Sequence, residues 1–230
     1  MSSQITRPAA RRIRPRGATA EPVRRKKYDP ERTRRDILTI ATHEFARNGY
    51  NGARIDAIAA KTSTTKRMIY YYFGGKEALY IAVLEDQYAR IRDREAELGL
   101  DALDPEQAIR RLAEFTFDYD HANPAFVRLV AVENIHHARH LRKSAVIRSV
   151  NSSIIATIDQ ILKRGRREGR FVAKVQAVDV HMLMSALCFF HVANLHTFGT
   201  IFSRDFLSPS LRRTHRKLVA DFIIHRLKQR

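Results

Sequence analysis

The chain has 230 residues, and 42 Lys plus Arg against 24 Asp plus Glu leave a formal charge of +18. That length buries a sizeable core in one large domain or two small ones, and 44% hydrophobic content excludes a chain disordered throughout. A single cysteine, Cys188, excludes a disulfide framework and fits a reducing compartment.

The excess charge is uneven. Residues 1–28 hold Arg7, Arg11, Arg12, Arg14, Arg16, Arg24, Arg25, Lys26 and Lys27 against one acid, Glu21. With few apolar residues, this segment is expected to be a disordered basic arm. Such an arm is either a solvated tail or a phosphate or minor-groove contact. If it is a contact, deleting residues 1–27 weakens DNA binding and flattens its salt dependence. The arm has no apolar h-region, so no signal peptide is expected.

After Tyr28 nearly every segment carries helical spacing, and no run alternates with period two. Asp29-Pro30 is an N-cap followed by proline at the first helical position, and Ile37, Ile40, Ala41 and Phe45 form one stripe. Asn48-Gly49 is expected to stop this helix. A short second helix carries Ile55, Ile58 and Ala59. The turn Thr62-Ser63-Thr64 follows, and Thr65 caps a third helix over 66–73. Gly74-Gly75 breaks the chain before a long fourth helix from Lys76. Asp104-Pro105 and Asn123-Pro124 open two more. Residues 139–168 predict one long helix with Val146, Ile147, Val150, Ile154, Ile158, Ile161 and Leu162 inward, weakened at Gly165 and ended at Gly169. Two helices remain, roughly 175–200 and 209–228. The stretch 183–202 has the length of a membrane span, but Ser185, His191, Asn194 and His196 interrupt it. A buried helix of a soluble, cytoplasmic protein is expected there, with no membrane partner.

Three short helices followed by a long one match a helix-turn-helix headpiece. In the third helix Ile69 and Phe73 are i and i+4 and point into a small core. Arg67, Tyr70 and Tyr71 are i, i+3 and i+4 and share the opposite face. Exposed tyrosines beside Lys66 and Arg67 suit contact with phosphates and base edges.

Residues 33–84 resemble the DNA-binding domain of the TetR/AcrR family of transcriptional regulators. The resemblance lies in Arg35-Asp36-Ile37-Leu38, Phe45-Ala46-Arg47-Asn48-Gly49-Tyr50, Ile58-Ala59, Ile69-Tyr70-Tyr71-Tyr72-Phe73 and Lys76-Glu77-Ala78-Leu79, in that order. It implies an all-α fold: an N-terminal three-helix helix-turn-helix headpiece and a C-terminal helical ligand-binding and dimerisation domain. The division it implies is 1–28 arm, 29–76 DNA-binding domain and 77–230 regulatory domain. It implies DNA contacts from Arg54, Thr64, Thr65, Lys66, Arg67, Tyr70, Tyr71 and Lys76. Ser63 stands where the family turn usually has Gly, Arg54 near the usual Thr cap, Gly75 where a Ser caps the fourth helix, and Arg67 where a small residue is common. The long cation at Arg67 suggests a direct guanine contact.

The resemblance further implies a homodimer through the last two helices, a near-palindromic operator in double-stranded DNA, and a small-molecule effector that releases the repressor. Candidate ligand residues are the polar groups among apolar ones, Tyr119, Asn134, His137, Cys188 and His191, each equally readable as a satisfied core residue. The cluster 66–77 is similar to regulators of aromatic or heterocyclic acid catabolism, which favours an aromatic or other small organic acid. The basic stretch 139–170 reads as an anion site or as the solvated face of one helix. His136, His137, His140 and His181 lack metal-ligand spacing, so neither metal nor cofactor is expected. No phosphate loop or nucleophile motif is present, so no enzyme is expected. A constitutive or architectural DNA-binding protein without an effector remains the alternative.

Overall fold

A computed structural model describes residues 29–62 and 64–229, and the basic arm and Ser63 lie outside the described residues. Ten α-helices follow one another: α1 Pro30–Gly52, α2 Ile55–Lys61, α3 Lys66–Phe73, α4 Lys76–Ala96, α5 Pro105–Ala122, α6 Pro124–Ile135, α7 Ala145–Arg167, α8 Ala177–Ala193, α9 Leu195–Ile201 and α10 Pro209–Lys228. Short 3-10 turns sit at Leu100–Ala102 and Leu141–Lys143. There is no strand among the described residues.

Local chemistry sets most helix starts. The Asp29 carboxylate accepts from Arg32 N at 3.0 Å, Thr65 Oγ1 accepts from Met68 N at 3.3 Å, and Asp104 accepts from the backbone of Glu106 and Gln107 at 3.1 Å. Gly74 takes φ +81°, a left-handed value that glycine adopts without strain, and its N–H closes α3 on Tyr70 O at 2.7 Å. Gly49 takes φ +66° but the helical pattern resumes to Gly52, so α1 is kinked there rather than ended.

Two expected helices are shorter than their spacing suggests. The helix expected over 139–168 starts only at Ala145. His137 and Ala138 adopt positive φ, and the Glu133 carboxylate draws off the N–H groups of His140 and Leu141, each at 3.1 Å. Ser144 then caps α7 through Ile147 N at 3.1 Å, and Val146 turns out to solvent. Gly165 causes no break. The Phe171 ring lies so close that a Cβ there would sit 2.1 Å from Phe171 Cδ2. The helix expected over 175–200 bends by 63° between α8 and α9, where Asn194 leaves helical geometry.

Two apolar clusters form. One joins Ile37, Leu38, Phe45, Ile58 and Ile69 to Leu79, Tyr80, Val83 and Leu84 of α4, and takes in Leu129 and Ile147. The first core therefore runs past residue 76 into the middle of α4. The other is built from α5, α7, α8 and α10 around Leu112, Phe117, Ile158, Met184, Ala220 and Ile223.

Candidate nucleic-acid interface and ligand cavity

On α3, Ile69 is fully buried and anchors the helix, while Tyr70 is 44% and Tyr71 79% exposed. Thr65, Lys66 and Arg67 are exposed as well, and Thr64 is half-buried. Phe73, expected in the core, is only half-buried at its edge, with the Arg34 guanidinium 5.4 Å from its ring centroid. Lys66 Nζ pairs with Asp56 at 3.0 Å, tying the start of α3 to the start of α2.

Arg54 is exposed just before α2. Its N–H donates to Glu44 Oε1 at 3.4 Å; the same oxygen accepts from Asn48 Nδ2 at 2.8 Å, and Lys61 Nζ lies 3.5 Å from Oε2. Burial pushes the Glu44 carboxyl up, but Asn48, the Arg54 N–H and Lys61 outweigh it and hold the group below its ordinary value. Glu44 thus organises the corner between α1 and α2, a role with no sequence motif. Lys76 is half-buried. It donates to Asn51 O at 3.1 Å and stands 5.1 Å from the Tyr50 ring centroid, so its expected phosphate contact shares this cation with the end of α1.

A cavity of about 180 Å³ lies among α4, α5, α6, α7 and α8. Apolar and aromatic groups such as Tyr88, Phe126, Phe189, Leu112 and Ile158 form most of its wall, and Arg92, Glu95, Asp120 and His181 form a charged tier. Arg92 Nη2 pairs with Glu95 at 3.0 Å, and Arg92 Nη1 donates to His181 Nε2 at 3.3 Å. His181 Nε2 therefore accepts, and its Nδ1–H donates to Ser185 Oγ at 2.9 Å. Burial, and then the neighbouring Arg92, hold His181 below its ordinary value. Burial pushes the Asp120 carboxyl up to about 7 against the pull of Arg92. Glu95 is likewise pushed up to about 7, by burial and by Asp120 against Arg92.

None of the five residues proposed from sequence as ligand contacts lines this cavity. Tyr119 packs on Phe115 and Phe126, at 5.6 and 6.2 Å between ring centroids. Asn134 and His137 are exposed near the end of α6, where Asn134 Nδ2 bonds Val130 O at 3.0 Å. Cys188 is fully buried in the second core, and burial raises its thiol. His191 belongs to a chain of imidazoles, its Nδ1 at 3.0 Å from His121 Nε2 and its Nε2 against His215 Nδ1. The signal for the lining of this cavity was helical phase. Asp120 continues the buried series Ile109, Leu112, Ala113, Thr116 and Phe117, and Glu95 follows Ile91 by four.

Large apolar side chains stay exposed at Val178, Met182 and Phe190 on α8 and at Leu218 and Phe222 on α10. No group of three His, Cys, Asp or Glu among the described residues could hold a metal ion. No single described helix is long and apolar enough to cross a membrane.

The sequence model described as "Bacterial regulatory proteins, tetR family" matches residues 37–83, and "Tetracyclin repressor-like, C-terminal domain" matches residues 105–223. The chain belongs to the TetR family. This family member is 35% identical over 199 residues to the HTH-type transcriptional repressor NicS of Pseudomonas putida, covering 86% of this chain and 94% of that one. It is 40% identical over 107 residues to the HTH-type transcriptional repressor SCO4008 of Streptomyces coelicolor, 46% of this chain and 52% of that one. Among solved structures, the transcriptional regulator SCO4942 of Streptomyces coelicolor superimposes with a TM-score of 0.65 at 26% identity, over 86% of this chain and 99% of that one. As a TetR-family member the protein is a DNA-binding transcriptional regulator.

Proposed function

We propose that this TetR-family regulator is a homodimeric repressor that binds a near-palindromic operator through α3 and leaves it when a small molecule fills the cavity. The observation that carries this reading is the double role of α4. Its first residue, Lys76, is bonded to the end of α1 beside α3, and its second half supplies Tyr88, Ile91, Arg92 and Glu95 to the cavity. A ligand that prefers one position of α4 shifts the headpiece by the difference in its affinity for the two states.

Arg67, Tyr70 and Tyr71 are assigned to base edges and backbone in the major groove, with Arg54, Thr64, Thr65, Lys66 and Lys76 on phosphates. The exposed apolar residues four apart on α8, Val178 and Met182, and on α10, Leu218 and Phe222, support pairing of α8 and α10 with the same helices of a second copy. The regulator acts where the DNA is, in the cytoplasm.

Binding-site selection with the purified full chain tests the reading, followed by fluorescence anisotropy on the selected duplex and sedimentation. A dyad-symmetric site bound by one dimer is expected. An asymmetric site bound by a monomer, or no selection at all, overturns it. A site whose affinity no small molecule shifts favours a constitutive regulator.

A further inference from the structure

The charged tier of the cavity is not satisfied by the protein alone. The Arg92 side chain is 9% and that of Glu95 6% exposed, and Asp120 is 5% exposed. Yet Arg92 Nε–H has no acceptor and Glu95 Oε2 has no donor. Among the described residues no side chain or backbone N–H reaches the Asp120 carboxylate within hydrogen-bond distance. Arg92, Glu95 and Asp120 thus line one cavity, and it is bordered by residues with a buried orphan donor, Arg92 Nε, and a buried orphan acceptor, Glu95 Oε2. Native interiors rarely leave such groups alone.

We infer that the cavity takes a single planar nitrogen-containing ring bearing an N–H donor beside an oxygen acceptor, with no net negative charge: the N–H faces Asp120 and the oxygen faces Arg92. This rests on reading the cavity as the effector site. Size sets the first limit. About 180 Å³ compares with roughly 150 Å³ for an apolar cavity that holds benzene, so one six-membered ring with one or two small substituents fits. The wall sets the second. Tyr88 and Phe126 meet edge to face at 5.4 Å, and with Phe189 they offer aromatic surface to a flat ring.

Charge sets the third limit. Two carboxyls share one guanidinium, and His181 is fixed as a neutral acceptor by the Arg92 N–H. A simple aromatic acid, the class the sequence favours, would bring a third carboxyl to that one guanidinium and would have to compete with Glu95 and Asp120 for it. A ring carrying N–H beside C=O instead satisfies orphans of both kinds and adds no anion.

The test uses the full-length protein and three probes of similar size: 2-pyridone, benzoate and toluene. Saturation-transfer NMR and thermal shift at millimolar concentration read binding, and operator anisotropy in the same samples reads release. Saturable 2-pyridone binding is expected, about tenfold tighter than benzoate, while Asp120→Asn weakens 2-pyridone about tenfold and narrows its advantage over toluene. Benzoate binding as tightly as 2-pyridone in the unmodified protein overturns the inference, whatever the variant does. So does the absence of 2-pyridone binding at millimolar concentration, or unchanged affinity in a folded Asp120→Asn protein. Selective 2-pyridone binding with unchanged operator affinity supports the cavity chemistry and overturns its effector role.

Discussion

The Glu133 carboxylate accepts the His140 imidazole N–H at 2.8 Å and, through its other oxygen, the backbone N–H groups of His140 and Leu141 at 3.1 Å. The imidazole in turn lies 4.4 Å from the Tyr50 ring and 4.8 Å from the Tyr80 ring, between centroids. One acid, 1% exposed, therefore shapes the turn between α6 and α7 and presses it onto the first core. Replacing Glu133 by Ala leaves two buried donors of His140 and the half-buried Leu141 N–H without an acceptor, which costs about 3 kcal/mol. A melting temperature lower by roughly 6–12 °C is expected. A drop of only a degree or two in calorimetry would mean that the turn holds itself.

Gly165 and Phe171 supply a second prediction. Alanine is worth about 1 kcal/mol over glycine inside a helix, so Gly165→Ala should stabilise α7 if the helix alone mattered. The methyl group would meet the Phe171 ring at 2.1 Å, and overpacking of this kind costs about 1–3 kcal/mol. The variant is expected to be less stable in urea titration. Adding Phe171→Ala should remove most of the penalty that Gly165→Ala adds, as a double-mutant cycle reads it.

Sequence-legible features here are those decided within a few residues. The caps at Asp29, Thr65 and Asp104 bond to N–H groups two or three positions on, so their pattern is complete in the sequence. The same holds for the face of α3, because helical spacing alone parts Ile69 from Tyr70 and Tyr71. The late start of α7 was hidden, because it depends on Glu133 reaching forward seven and eight residues with a side chain. The cavity was hidden for a further reason. Five helices enclose it, and no spacing along one helix tells which polar group on an apolar stripe meets a void. Asp120 and Cys188 both sit on apolar helix faces, yet only Asp120 borders the space.

The charged tier makes stability depend on pH in a definite direction. Asp120 is held up to about 7 in the fold from an ordinary value of 3.8, and Glu95 up to about 7 from 4.5. Between those limits the folded chain binds more protons than the unfolded one. Stability from these groups is therefore fully present below about pH 4 and is lost as pH rises through about 7. Asp120→Asn cannot ionise. Its stability relative to the unmodified protein, read from melting curves, should rise between pH 5 and pH 8 by on the order of 2 kcal/mol. Parallel melting curves across that range would mean that Asp120 ionises freely in the fold.

Arg67 and Lys76 are expected to separate reading from holding. Arg67 is exposed, and among the described residues no hydrogen bond or ion pair ties its side chain to the fold, so Arg67→Ala should leave the melting temperature unchanged. It should flatten sequence preference at one or two operator positions by about 1–3 kcal/mol. Lys76 already serves Asn51 O and the Tyr50 ring. Lys76→Ala should therefore weaken all duplexes alike, reduce the salt slope by about one charge, and also cost about 1–2 kcal/mol of stability. Anisotropy on matched and scrambled duplexes, set beside calorimetry, distinguishes the two. Lost preference in the Lys76 variant with full preference retained in the Arg67 variant would reverse the assignment. The base-reading cation would then lie at the start of α4, and α3 would touch only backbone.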